Sequence, residues 1–450
     1  MNYTQIAACI GGAKGGGSID LSPLRFTNIG EVPVTIGFND AYSANPDFNY
    51  RKSVDEDYTH WEKVDSTAYY TDIVLQPGEY VEFIGDNGNK SITHASNAYR
   101  DYGSQFICGA DRDEEKIKLS GNIMSLCYKK LTPDKCVEIP DVEDGQVTIF
   151  GCLFYNCDAI VDASEFILPA TILKPNSYMG LFAGCASLTS APELPATTLV
   201  SGCYSYMFDG CTSLTSAPDL PATTLADYCC ANMFYGCTSL TSAPELPVTT
   251  LADYCYEYMF SHCTSLTSAP ELPATTLVSS CYSNMFYGCT SLTSAPELPA
   301  TTLVSSCYSN MFDGCTSLTS APDLPATTLA DYCCANMFNN CTSLTSAPKL
   351  PATTLASSCY YYMFSGCTSL TSAPELPATT LADYCCANMF NNCTSLTSIT
   401  CLATNISEYS TYYWLDGVAA SGIFTKAASM NDWTTGVSGI PTGWTVVDAE

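Results

Sequence analysis

Basic residues are scarce in this chain, and histidine and tryptophan are scarcer. Its 450 residues include 16 Lys and Arg, three His and four Trp, against 45 Asp and Glu, for a formal net charge of -29. Beyond residue 150 only Lys174, Lys349 and Lys426 are basic. Neutralising a phosphate backbone takes clustered Lys and Arg, so nucleic acid is not an expected partner. An anionic membrane surface is disfavoured for the same reason. No stretch approaches the ~18 consecutive apolar residues of a membrane span. The segment from Met1 to Gly12 has no Lys or Arg before its short apolar run, so a secretory signal is not expected. Ile6-Ala7-Ala8-Cys9 stands too close to Met1 for a lipoprotein cleavage box. With His60, His94 and His262 as the full histidine complement and no recurring Cys-x-x-Cys pair, no metal site and no cofactor are expected. No nucleophile stands with a histidine and an orienting carboxylate, so no catalytic residue is expected either. Asp111-Arg112-Asp113-Glu114-Glu115 lacks the spacing of a calcium loop and reads as a solvated turn.

What the chain has instead is repetition. Cysteines at 185, 211, 237, 263, 289, 315, 341, 367 and 393 recur every 26 residues without a slip. One unit runs Cys211-Thr-Ser-Leu214-Thr-Ser-Ala217-Pro218-Asp219-Leu220-Pro221-Ala-Thr-Thr-Leu225-Ala-Asp-Tyr-Cys229-Cys-Ala-Asn-Met233-Phe234-Tyr-Gly. A period of 20 to 29 residues with recurring leucines marks a leucine-rich solenoid, whose units bury their apolar faces only by stacking. Function is then expected on a long surface, not in a cleft. Leu225, Cys229 and Met233 fall at i, i+4 and i+8, which predicts a short helix over Thr223 to Tyr235. Leu214, Ala217 and Leu220 supply the strand side, kept short and irregular by Pro218. The predicted fold class is therefore an α/β leucine-rich-repeat solenoid, with one short strand and one short helix per unit.

Of the 27 cysteines, 18 form two ladders: Cys157 with the nine above, and Cys203, 229, 255, 281, 307, 333, 359 and 385. Stacked positions ~5 Å apart have parallel Cβ vectors, which a disulfide does not tolerate. The ladders are expected to be reduced, buried core filler.

Stacking also lines up surface rows. Glu193, Asp219, Glu245, Glu271, Glu297, Asp323 and Glu375 share one position with Lys349, a line on the order of 40 Å long. Neighbouring charges ~5 Å apart in water repel by roughly 0.8 kcal/mol, which solvation tolerates. The row reads either as a strip for cations or a basic partner, or as a solvated face copied by duplication. A second row varies where the rest of the unit is constant: Tyr204 and Tyr206; Tyr254, Tyr256 and Tyr258; Tyr282 and Tyr287; Tyr360, Tyr361 and Tyr362. Exposed tyrosines give flat apolar area with a polar tip at low entropy cost, as glycan and protein binding surfaces require. The same residues could equally shield the solenoid flank. The Thr212, Thr238, Thr264 row reads as hydrogen-bonded turn residues.

The flanks differ. Residues 1–18 end in Gly11-Gly-Ala-Lys-Gly-Gly-Gly17, a flexible leader or tether. Residues 19–130 show short alternating runs punctuated by Gln76-Pro77-Gly78 and Asp86-Asn87-Gly88-Asn89, predicting a sandwich-like all-β domain. Residues 131–184 are transition and N-terminal capping repeats, 185–399 the regular repeats, and 400–450 a C-terminal cap holding Trp414, Trp433 and Trp444.

The unit Cys-Thr-Ser-Leu-Thr-Ser-Ala-Pro-Glu-Leu-Pro-Ala-Thr-Thr-Leu with Met-Phe-x-Gly closely resembles the BspA-type leucine-rich repeats, in their 26-residue bacterial surface protein form, from about 150 to 400. The tail from Trp414, with Ser438-Gly-Ile-Pro-Thr-Gly-Trp444-Thr-Val, looks like the closing segment of such proteins from gut bacteria and their phages. Gln76 to Ile84 is similar to the β-domain that often precedes them. The resemblance implies a non-enzymatic adhesin or surface recognition protein. With no signal peptide expected, it points to a phage virion fibre or decoration subunit, exposed on the virion. Its repeat arm would meet a host cell-surface glycan or protein, residues 1–130 would meet other virion proteins, and a fibre would be a homo-oligomer. One alternative is a bacterial cell-surface adhesin. Another is a glycan-active enzyme in the β-domain, drawing paired carboxylates from Asp55 to Asp57, Glu79, Glu82 or Asp111 to Glu115.

Overall fold

The computed structural model describes residues 20–39, 47–55, 60–64, 72–88, 92, 105–108, 114–141, 149–407 and 409–449. The expected leader and the carboxylates of Glu56, Asp57, Asp111 and Asp113 lie outside the described residues. The chain divides into two compact units, residues 1–225 with 236–240, and residues 226–235 with 241–450.

In the first unit, alternating apolar residues make strands that bury one face. β1 (Leu24–Asn28), β3 (Phe48–Lys52), β4 (Glu62–Lys63), β6 (Tyr80–Gly85), β8 (Ile117–Asn122) and β9 (Ile160–Ile167) form one sheet in the order β4-β3-β6-β1-β8-β9. A second sheet is ordered β5-β2-β7, from β2 (Val34–Asn39), β5 (Ile73–Leu75) and β7 (Gln105–Cys108). Phe26 and Phe83 from the first sheet meet Phe106 from the second, each with ring centroids 5.0 Å apart. Phe38 adds an edge-on contact to Phe48 at 5.0 Å. β9 runs parallel to β8, and Ala163 N then donates to Ser190 O, so the repeats of this unit grow directly from the sheet. The aromatic core grows the same way: Phe106 stacks on Phe154, Phe154 on Phe182 and Phe182 on Phe208, at 5.9, 5.3 and 5.8 Å.

The predicted helix over Thr223 to Tyr235 does not form, and no α-helix occurs among the described residues. Each unit carries coils built from overlapping β-turns instead. In one coil of the second unit Cys255, Glu257, Met259, Ser261 and Cys263 donate their N–H to the carbonyl three residues back. The alternate residues Tyr254, Tyr256, Tyr258, Phe260 and His262 donate to Ser279, Cys281, Ser283, Met285 and Tyr287 of the next coil. Half of the N–H groups are therefore satisfied within the coil and half by its neighbour, so a coil without a neighbour would leave buried donors unpaired.

Every fourth residue of the ribbon takes positive φ, as at Tyr254, Tyr258 and His262 with φ of 58, 54 and 60°. That conformation belongs to the third residue of a type II turn and is forbidden inside a right-handed helix. Two turns consume four residues, which is why Leu225, Cys229 and Met233 carry a spacing so close to helical. The strand side is reduced to single bridges such as Thr250 with Thr276 and Ser320 with Ser346, since the prolines of the Ala-Pro-x-Leu-Pro segment cannot donate to a ladder.

All 26 described cysteines are buried. From Cys211 to Cys393 each cysteine of the first ladder donates its S–H to the phenylalanine carbonyl 29 residues earlier, as from Cys315 to Phe286 at 3.2 Å and from Cys341 to Phe312 at 3.1 Å. Burial pushes the thiols of Cys289 and Cys393 up to about 12, so neither is a ready thiolate. The second unit ends in a parallel sheet of β10 (Ser398–Cys401), β11 (Ile423–Lys426) and β12 (Thr445–Asp448), with Trp414 buried and its Nε1 donating to Gly439 O at 2.9 Å.

Candidate recognition surface

The turn ribbon sorts its side chains two in, two out. In the coil from Tyr228, Cys229 and Cys230 point inward, Ala231 lies flush and Asn232 turns outward. Met233 and Phe234 then point inward before Tyr235 turns out again. This sorting divides the predicted tyrosine row. Tyr204, Tyr256, Tyr282 and Tyr360 share the inward position of Cys230 and are buried, so the structure corrects their expected exposure: they are core. Tyr256 stacks on Tyr282 and Tyr282 on Tyr308, at 6.0 and 6.2 Å, and burial raises all three phenols. Tyr206, Tyr254, Tyr258, Tyr287, Tyr361 and Tyr362 stand at outward positions and are half-buried.

Sequence reasoning missed the more exposed residues. Tyr228, Tyr332 and Tyr384 are 44%, 49% and 37% exposed, and they occupy the Ala-Asp-Tyr-Cys position that Tyr254, already in the predicted row, also holds. The signal was their 26-residue alignment with Tyr254, at a position where tyrosine alternates with Ser280, Ser306 and Ser358. Tyr409, Tyr412 and Tyr413 join them, at 42%, 44% and 39%.

These residues form two clusters within the second unit. In one, Tyr228 stacks on Tyr254 at 4.6 Å, and His262 is held edge-on between Tyr235 at 5.4 Å and Tyr287 at 5.1 Å. His262 occupies a glycine position of the ribbon, and the Gly288 that follows has φ of +71° and would bring a Cβ within 2.7 Å of the His262 ring. Burial also pushes the Glu257 carboxyl in this cluster up to about 7. In the other, Tyr384 stacks on Tyr409 at 5.2 Å, while Tyr361 with Tyr362 and Tyr412 with Tyr413 form near-perpendicular pairs at 4.6 and 4.5 Å. Burial, followed by the neighbouring Tyr362, Tyr332 and Tyr384, raises the Tyr361 phenol. Between the clusters the equivalent positions hold Ser280, Ser283, Asn284 and Ser309, which are buried, and Ser306 and Asn310, which are half-buried.

The acidic row is placed differently. Glu193 and Asp219 in the first unit, and Glu245, Glu271, Glu297, Asp323 and Glu375 in the second, are all exposed, and no salt bridge among the described residues involves them. The threonine row binds coil to coil: Thr212 Oγ1 donates to Ala186 O at 3.2 Å and Thr238 Oγ1 to Thr212 O at 3.4 Å.

Three of the carboxylates offered for an enzyme are occupied. Glu82 is buried between Arg25 and Arg51, accepting from Nε of each at 3.0 and 2.7 Å. Asp55 accepts from Lys52 N at 2.5 Å and Glu79 from Gln76 N at 2.9 Å. Among the described residues no group of three or more His, Cys, Asp or Glu is arranged to hold a metal ion, and no helix is long and apolar enough to cross a membrane.

The BspA type leucine rich repeat region matches this chain in six copies, over residues 123–258, 230–371 and 327–414. The chain belongs to the BspA-type leucine-rich repeat family. The match spans the coils, the thiol ladder and both tyrosine clusters of this BspA-type protein. No curated protein matches the chain. Among solved structures, one described as "Crystal structure of TLR13-ssRNA13 complex" aligns with 15% identity and a TM-score of 0.23, over 64% of this chain and 33% of that one. The chain thus spans about a third of that structure's length.

Proposed function

We propose that this BspA-type protein is a non-enzymatic surface recognition protein whose outward tyrosines contact the partner. The observation that carries the reading is where the tyrosines stand. Coils that are otherwise near copies differ at the outward positions, and at several of them tyrosine occupies positive φ, as at Tyr332, Tyr362 and Tyr384 with φ of 58, 52 and 52°. Such a conformation costs a non-glycine residue roughly 1–2 kcal/mol and suits asparagine or glycine better. Strain of this kind, kept on a surface, supports a binding role. Flat aromatic area with a hydroxyl tip is what protein and glycan interfaces select. The partner is then a cell-surface glycan or protein.

Within that reading, we place the chain on a phage virion as a fibre or decoration subunit meeting the host surface. Residues 1–130 face other virion proteins, and fibre subunits associate as homo-oligomers. The tail's likeness to phage proteins of this family supports the placement. Peptides of this chain in purified, protease-washed particles are the expected result. Their absence from particles, together with loss of the chain from intact bacteria on surface proteolysis, would instead make it a bacterial cell-surface adhesin.

A further inference from the structure

We infer that the recess between the Tyr361–Tyr362 pair and the Tyr412–Tyr413 pair is a binding site for one neutral pyranose ring of a surface polysaccharide. The inference rests on the recognition reading above and gives it a ligand class.

The recess follows from coil register. Tyr362 N donates to Ala387 O and Asn388 N donates to Tyr412 O, so the Ala387-Asn388 coil lies directly between the two tyrosine pairs. Ala387 is fully buried and Asn388 is 8% exposed, and they make a low floor where the coils on either side raise two aromatic rings each. At the ~4.8 Å spacing of stacked strands the walls stand about 10 Å apart, centre to centre. Subtracting one aromatic thickness of ~3.5 Å, the separation of carbon atoms in contact, leaves space for a single ring lying against a wall. The Tyr384 and Tyr409 stack, interplanar angle 10°, joins the floor coil to the Tyr412 coil and bounds the recess on the side toward Ala387's own N-terminal flank.

The chemistry favours a sugar. Within each wall the two rings meet at 73° and 69°, so apolar ring faces and phenolic hydroxyls lie together. A pyranose has matching parts, a C–H face for the ring and hydroxyls for the phenols, with the Asn388 amide as a further donor and acceptor. Neutrality follows from charge: no Lys or Arg occurs from residue 350 to residue 425, so nothing nearby would hold a phosphate, sulfate or carboxylate. An extended peptide would instead run along several coils, because its contacts repeat along its own length.

The repeats themselves supply the variants. Ala335 and Ala387 occupy the position of Tyr361, so Tyr361→Ala and Tyr412→Ala restore a residue the ribbon already accepts. The experiment is affinity electrophoresis of the full chain through gels holding soluble mannan, β-glucan or galactan, with hyaluronate and a proline-rich peptide as competitors. Retention by at least one neutral polysaccharide is expected, weakened tenfold or more in Kd by Tyr361→Ala with Tyr412→Ala and unchanged by Glu271→Gln. Retention indifferent to the double variant overturns the site, as does displacement by hyaluronate or the peptide alone. Should no polysaccharide retain the chain while intact cells bind it and the double variant abolishes that binding, the sugar assignment fails and the recognition reading survives. A chain that binds no cells at all removes both.

Discussion

Replacing Phe312 by alanine should destabilise the second unit by about 3–5 kcal/mol, the range of a large aromatic truncated in a core. Phe312 is fully buried between Phe286 and Phe338, each 5.6 Å away and nearly parallel. Its carbonyl accepts from Cys315 N and from Cys341 Sγ, both at 3.1 Å, and its N–H donates to Met337 O at 2.9 Å. One side chain therefore supports three coils. Because each coil is held chiefly by its nearest neighbours, the loss should appear as local opening before global unfolding. Urea titration followed by native-state alkylation reads both: the midpoint falls, and thiols between Cys289 and Cys341 become reactive while distant ones stay protected. Phe312→Leu, which keeps much of the volume, should cost clearly less. A loss under ~1 kcal/mol for the alanine variant would mean that the phenylalanine ladder is not the core of the coils.

The second large effect is expected at Glu82. This carboxylate lies on β6, where the register sets it opposite Arg25 of β1 and Arg51 of β3. It accepts from both guanidinium groups, which also lie over the rings of Tyr80 and Trp61 at 4.2 and 4.5 Å. Removing Glu82 takes away the charge-assisted hydrogen bonds of two guanidinium groups that are themselves 37% and 18% exposed, a loss of about 2–3 kcal/mol. Glu82→Ala should therefore unfold the β-sheets of the first unit early, seen as faster amide exchange in β1, β3 and β6. Glu82→Gln keeps the acceptor oxygen and should cost less. Equal exchange in wild type and Glu82→Ala would reduce the network to a surface ion pair of little weight.

The parts of this architecture that were legible in the sequence are those fixed by period and polarity. A strict 26-residue spacing places Cys315 under Cys341 and Glu271 beside Glu297 whatever the local backbone does, so the buried thiol ladder and the exposed acidic row could be read directly. Local conformation could not. Leu225, Cys229 and Met233 satisfy a helical pattern, yet the same four-residue spacing describes paired turns. Asn232 and Gly236 were the available cue, four residues apart in the residue types that adopt positive φ, and both do so. Tyrosine placement depended on that choice. On a helix Tyr204 and Tyr206 would both flank the apolar stripe; on the ribbon one is core and the other faces outward. Tyr228, Tyr332 and Tyr384 share the register position of Tyr254 and were legible with it; there tyrosine shows an alternation with Ser280, Ser306 and Ser358.

That alternation also provides the most direct test of the account. Tyr228, Tyr332 and Tyr384 can be exchanged together for serine, the residue already found at three equivalent positions, without disturbing a core contact. The measurement is binding of the labelled full chain to intact gut bacteria, beside a second variant in which Glu245, Glu271 and Glu297 become glutamine. The account predicts an unchanged melting temperature for both, at least a tenfold loss of cell binding for the serine variant, and no loss for the glutamine variant. Undiminished binding by a folded serine variant, or a loss confined to the glutamine variant, would contradict it and move recognition from the tyrosines to the acidic row.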